Sequence, residues 1–182
     1  MIQIYYGPTV LVISLIWIAV RILFAARQKQ ISWKRELQLL LVYICIIVVV
    51  RFTFFPFFKV DGNIQPLIFD GAQMFPPRVN FLPLVYLLNY DIFKEMLINV
   101  IGNTTMFIPL GIVWPSVFKQ LNTHGKVLLS GVATSLLIEI LQLPFFDRVT
   151  DVDDLILNSL GFAAGYGIYL LVKTIKKKVR HP

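Results

Sequence analysis

Asp151, Asp154, Asn158, Gly161 and Gly165 are spaced +3, +4, +3 and +4 along the chain, which sets them on one side of a helix. Gly131, Ser135, Glu139 and Gln142 repeat the design at +4, +4 and +3, and Asn99, Gly102, Asn103 and Met106 make a third stripe. Acids and amides placed in this way support three kinds of chemistry. Two carboxyls in unlike surroundings act as general acid and base, because desolvation raises the proton affinity of one of them. Carboxylates with amides ligate Ca²⁺ or Mg²⁺ through oxygen. Carboxylates also receive guanidinium groups in two-point pairs, and Arg51, Arg78 and Arg148 are the arginines at hand.

Each stripe belongs to an apolar segment that must position it. The 182 residues are 57% apolar and 15% charged, far from a soluble average. The apolar residues come in blocks near the ~20 residues that cross a ~30 Å hydrocarbon core. Five spans follow, over about 7–25, 37–58, 96–118, 127–143 and 155–173. The expected fold is therefore all-α: a polytopic transmembrane helix bundle. Its parts are the first span and a basic loop (1–36), the main helical membrane domain (37–175) and a basic tail (176–182). With no cation before Arg21, residues 1–25 lack the charged start of a secretory leader and are read as a span.

The net charge is +7, but the placement of the cations says more than their sum. Arg27, Lys29, Lys34 and Arg35 crowd the first loop, Lys119 and Lys126 flank the third, and Lys173, Lys176, Lys177, Lys178 and Arg180 mark the tail. The opposite side, residues 1–6, 59–95 and 144–154, has only Lys59, Arg78, Lys94 and Arg148, together with eight of the ten acids. The positive-inside rule then puts the N-terminus outside and the C-terminus inside, with 59–95 as an extracytoplasmic interfacial loop. Membrane lipids are the expected partners and nucleic acid is not, the tail serving as a topology anchor with affinity for anionic lipid. Glycines and prolines forbid a long helix in 59–95, although "LPLVYLLNYDIFKE" (82–95) reads as a short amphipathic surface helix.

In this orientation Asn99, Asn103, Glu139, Gln142, Asp151, Asp154 and Asn158 share the outer third of the bilayer with the loop residues Arg78 and Arg148. Arg51 either snorkels to the outer headgroups or turns inward to pair with Glu139 or an aspartate. These ten residues are the expected ligand-binding set, with the aspartates as one wall of a polar pocket open to the outer leaflet. Thr150 reads as a helix N-cap with Asp153 as its capping-box partner, and Arg21 as a snorkelling anchor. Gly161-xxx-Gly165 admits a close neighbouring helix, Pro109 and Pro115 weaken or kink the third span, and Cys45, the only cysteine, is packing. His124 and His181 fall on the cytoplasmic side, so the pocket has neither a Ser-His-Asp triad nor a histidine zinc site. No metal and no cofactor is expected.

"RVNFLPL" (78–84), "NVIGNTTMFIPLGIVWP" (99–115), "EILQL" (139–143) and "DRVTDVDDLILNSLGFAAGYG" (147–167), in this order, resemble the VanZ-like family of bacterial membrane proteins. The resemblance covers roughly 40–172 and leaves the first span outside. Leu110 stands where that family often has an aromatic, and Phe162 where it often has a second glycine. The resemblance implies a multi-pass protein of a Gram-positive cell membrane, associated with resistance to the glycopeptide teicoplanin, with no agreed mechanism. Membership of a family does not by itself assign the task.

Three functions are compatible with these residues. The first is an envelope protein whose outer pocket binds an amphiphile, either a lipoglycopeptide antibiotic or a lipid-linked wall precursor. The second is a membrane-embedded enzyme or transporter acting on a lipid-linked precursor or a phospholipid, with Glu139 and Asp154 as acid and base. In the third the stripes are only glue between helices.

Overall fold

The structure is a computed structural model that describes residues 1–27, 31–55, 59–60, 62–83 and 93–180. Its frame is five helices: α1 (Tyr6–Arg27), α2 (Trp33–Phe54), α3 (Phe93–Val117), α4 (His124–Gln142) and α5 (Val152–Arg180). All five are long and apolar enough to cross a membrane. The second helix stops at Phe54 rather than near 58, because the residue before Pro56 is pushed out of helical geometry; Phe55 is extended, at φ −99° and ψ 129°. The last helix runs past 173 to Arg180, since its lysine-rich turns favour helix.

The tightest packing is between α3 and α5. A methyl group added at Gly161 or Gly165 would overlap the Thr104 or Ile108 carbonyl, and one added at Gly111 would overlap the Phe162 carbonyl. These glycines let two backbones touch, as the small-xxx-small pattern predicts. Phe162, 1% exposed, turns away from this seam and fills the space above Gly131 of α4. Around it lies the core of Cys45, Val49, Met106, Phe107, Leu110, Val127, Ile138 and Tyr166. Pro109 and Pro115 both lie inside α3, which continues through them.

No residue of α1 is buried. It is held to α2 by a hydrogen bond between Ser14 Oγ and Tyr43 OH (2.5 Å), by the Trp17 and Tyr43 rings at 4.9 Å, and by a two-point ion pair of Arg21 with Glu36. Arg21 is thus a clasp between helices rather than a headgroup anchor, because the turn into α2 brings a carboxylate within its reach.

At one end of the bundle short strands occur within the segment expected as an interfacial loop, so the fold is helical with small β-pairings added. In chain order these are β1 (Ile2–Ile4), β2 (Lys59–Val60), β3 (Asn63–Ile64), β4 (Leu67–Phe69), β5 (Val79–Asn80) and β6 (Thr150–Asp151). β1 runs antiparallel to β4, β2 antiparallel to β3 through a turn holding Gly62 at φ +79°, and β5 parallel to β6. The loop therefore straps itself to the α4–α5 connection from both sides. Asp70 N–H donates to the Pro144 carbonyl, Phe146 N–H to that of Ile68 and Thr150 N–H to that of Arg78. We call this the ribbon end and the opposite one the basic end. The surface helix expected over 82–95 falls largely on residues 84–92, which lie outside the described residues.

Candidate functional site

The α4 stripe is buried throughout, the α5 stripe is buried from Asn158 onward, and the α3 stripe is half-buried except for Met106. On α4, Gly131, Ser135, Glu139 and Gln142 are all buried. On α5 Asn158 is 1% exposed, and its Nδ2 donates to Ser135 Oγ at 3.1 Å. On α3, Asn103 Nδ2 donates to Asp154 Oδ1 and, more weakly at 3.4 Å, to Asn99 Oδ1. The Asn99 side chain also reaches the Asp154 carboxyl. Amides of α3 thus hold an acid of α5, and a hydroxyl of α4 holds an amide of α5.

Glu139 is 2% exposed, and its Oε2 accepts from the backbone N–H of Asp151 at 3.0 Å. The Thr150 hydroxyl donates to the Glu139 carbonyl at 2.8 Å. Thr150 is therefore a strand residue tied to α4 and not the cap of α5. That role belongs to Asp151, whose Oδ1 accepts from Asp153 N–H at 2.9 Å, the pattern of an N-cap. The parallel pairing of β5 with β6 puts Asn80 opposite Asp151, and Asn80 Nδ2 donates to the same Oδ1 at 3.0 Å. Glu139, Asp151 and Asp154 lie within electrostatic reach of one another. They are held by amides and backbone N–H groups. Among the described residues they do not form a cluster suited to a metal ion.

Arg148 and Arg78 are set on backbone carbonyls, and Arg51 also reaches one. Arg148 Nε and Nη2 both donate to the Phe54 carbonyl, at 3.2 and 2.9 Å, and Arg51 Nη1 donates to that of Phe55 at 2.8 Å. Gln142 Nε2 completes the set on the Thr53 carbonyl at 2.6 Å. These oxygens end α2, where carbonyls lack intrahelical partners and the helix dipole is negative. Arg78 does the same for the turn after α4, donating to the Phe145 and Phe146 carbonyls. Among the described residues no carboxylate lies within 4 Å of the Arg78 or Arg148 guanidinium. For these two the expected pairing with the acids is corrected: orphan carbonyls at a helix end need donors that carboxylates cannot supply. Burial pushes the Arg148 guanidinium below its usual proton affinity, while the charges of Asp147 and Asp154 act the other way.

The single pocket expected at this end becomes an acid–amide core with two cavities beside it. One, of about 470 Å³, is lined by Arg78, Val79, Asn80, Phe81, Leu82 and Val149. The other, of about 270 Å³, lies among Tyr5, Tyr6, Arg51, Phe55, Ile64 and Gln65, with the Arg51 guanidinium 5.2 Å from the Tyr6 ring centre. Glu139 and Asp154 line neither. Asp151 stands one hydrogen bond behind the larger cavity, through Asn80.

A family model described as VanZ/LLP1 matches residues 40–173. The chain belongs to the VanZ/LLP1 family. The matched VanZ/LLP1 region takes in every residue of the acid–amide core and both ends of the β5–β6 pairing, and leaves out α1. The chain has no match among curated proteins or among solved structures. Within this VanZ/LLP1 domain sequence reasoning missed Asn80 and gave Thr150 a cap in place of its tie to the Glu139 carbonyl. Asn80 lies within "RVNFLPL", the first of the family-like motifs. That was the available signal, since nothing in its own surroundings marks a partner 71 residues away.

Proposed function

We propose that this multi-pass VanZ/LLP1 protein presents its ribbon end outside a Gram-positive cell membrane and receives the polar head of an amphiphile there. The candidates are a glycopeptide such as teicoplanin and a lipid-linked wall precursor. The lysines and arginines gathered at the basic end support this orientation. The observation that carries the reading is the 470 Å³ cavity, which is of ligand size and joins a guanidinium, an amide and apolar walls. Its Asn80 wall is tied through Asp151 to Glu139, so these two acids act as a rigid back to the cavity, while Arg78 lines it. In a susceptible host, expression of the wild type is expected to lower teicoplanin susceptibility. Asn80→Ala and Val149→Trp should remove the effect at unchanged membrane abundance. Susceptibility that does not respond to either substitution rejects the proposal.

One observation favours a second reading, an enzyme or transporter for a lipid-linked precursor or a phospholipid. Gln142 Oε1 and Asn158 Oδ1 are buried on either side of Glu139 without a hydrogen-bond partner among the described residues. A substrate group passing there would meet acceptors and an acid together. This reading requires product from a panel of prenyl-phosphate and phospholipid substrates, abolished by Glu139→Gln and Asp154→Asn. A panel without product rejects it.

A further inference from the structure

The basic end holds a cavity of its own, of about 380 Å³, unconnected with the acids. Its floor is one face of α5, where Tyr166, Tyr169, Leu170 and Lys173 recur at helical spacing. The opposite wall is the turn between α3 and α4, with Lys119, Asn122 and His124. Among the described residues neither Lys119 nor Lys173 has an ion-pair partner within 4 Å. The neighbouring chain cannot readily supply one, because no Asp or Glu occurs from 96 to 138 or after 154. Glu139 is at the far end of α4, about 22 Å along the axis, and Glu36 is taken by Arg21.

The polar groups here are donors. Asn122 Oδ1 accepts from Lys126 Nζ at 3.2 Å, which leaves the amide –NH₂ to donate elsewhere. The Tyr166 hydroxyl and His124 Nδ1 share a hydrogen bond of 2.8 Å. When the hydroxyl donates, the proton of the neutral imidazole is on Nε2, a further donor. The first turn of α4 adds the positive end of a helix dipole, its Lys126 N–H being capped by Thr123 Oγ1 at 3.3 Å. Apolar walls from Val127 and Leu170 complete the space, which is larger than a lone inorganic ion needs.

We infer that this cavity binds a phosphate-bearing anion, with an anionic phospholipid headgroup as the ligand that fits both its charge and its apolar walls. The test uses the full chain in neutral detergent, with phosphatidylglycerol, phosphatidylcholine and glycerol 3-phosphate as probes, read by thermal shift and by lipid retained through purification. Phosphatidylglycerol should stabilise the protein and phosphatidylcholine should not. Lys119→Gln/Lys173→Gln should weaken phosphatidylglycerol roughly tenfold or more, and Lys177→Gln/Lys178→Gln in the tail by less than about twofold. Tyr166→Phe, which removes one hydroxyl, is the second variant and should weaken binding at an unchanged lipid-free melting temperature. Competition by glycerol 3-phosphate would assign the site to soluble phosphate esters as well, within the same chemistry. Equal response to the two lipids, or equal losses in the cavity and tail variants, overturns the inference.

Discussion

The α3–α5 seam and the α1–α2 contact lie in one bundle and are held by opposite means. Along the seam Gly111, Gly161 and Gly165 bring backbone against backbone, with Phe107, Leu110 and Phe162 fully buried beside them. Between α1 and α2 the contact is made by side-chain tips, Ser14 with Tyr43 and Arg21 with Glu36, and α1 buries nothing. The difference follows from the solvent. Lipid is as apolar as leucine, so helices gain by associating only where shape permits very close contact or where polar groups pair. The α2 C-terminus is intermediate, polar like the clasp but buried like the seam, with Gln142, Arg148 and Arg51 on three successive carbonyls. The VanZ/LLP1 match starts in α2 and so contains the seam and most of α2, but not α1.

Gly161→Leu or Gly165→Leu should have the largest effect. Each would force backbones apart at a cost of about 3 kcal/mol or more, seen as loss of monodisperse protein on size exclusion. A variant that melts like the wild type would place the seam's strength elsewhere. Arg148→Met comes next: it leaves the Phe54 carbonyl buried with no donor from this side chain and should cost about 1–3 kcal/mol in thermal unfolding. Arg148→Lys should restore part of this, since one ammonium replaces two fork-mounted N–H groups. Arg21→Ala is the smallest, about 1 kcal/mol or less for a half-buried pair. It should raise the mobility of a spin label at Ile16 without moving the melting of the other helices. A cooperative loss of the whole bundle would show α1 to be integral to the core.

Much of this could be read in advance. The five spans follow from apolar length, and the polar stripes of the last three, with the close approach at Gly161 and Gly165, from spacing. Counting crossings groups residues 1–6, 59–95 and 144–154 at one end, and the strand pairings bring described parts of all three together: Ile2–Ile4 with Leu67–Phe69, and Val79–Asn80 with Thr150–Asp151. The end of α2 was misjudged although Pro56 announced it, because the aromatic run after Arg51 read as apolar continuation. What could not be read was partnership. Arg78 and Arg148 carry the charge that suits Asp151 and Asp154, and opposite charges are the pairing that residue types suggest. The structure holds these acids with Asn80, Asn99 and Asn103 and sets the two guanidinium groups on carbonyls.

The reason is one of range. Helical periodicity and apolar length are properties of a single segment, complete within some twenty consecutive residues, so span number and face were legible in the letters alone. A donor's choice among acceptors depends on which ends meet at which height. That was decided only when Asn80 came beside Asp151 and Arg148 beside the last turn of α2, contacts made across 71 and 94 residues of chain. Every backbone carbonyl is also an acceptor, and no residue letter marks the few that a helix end leaves unpaired.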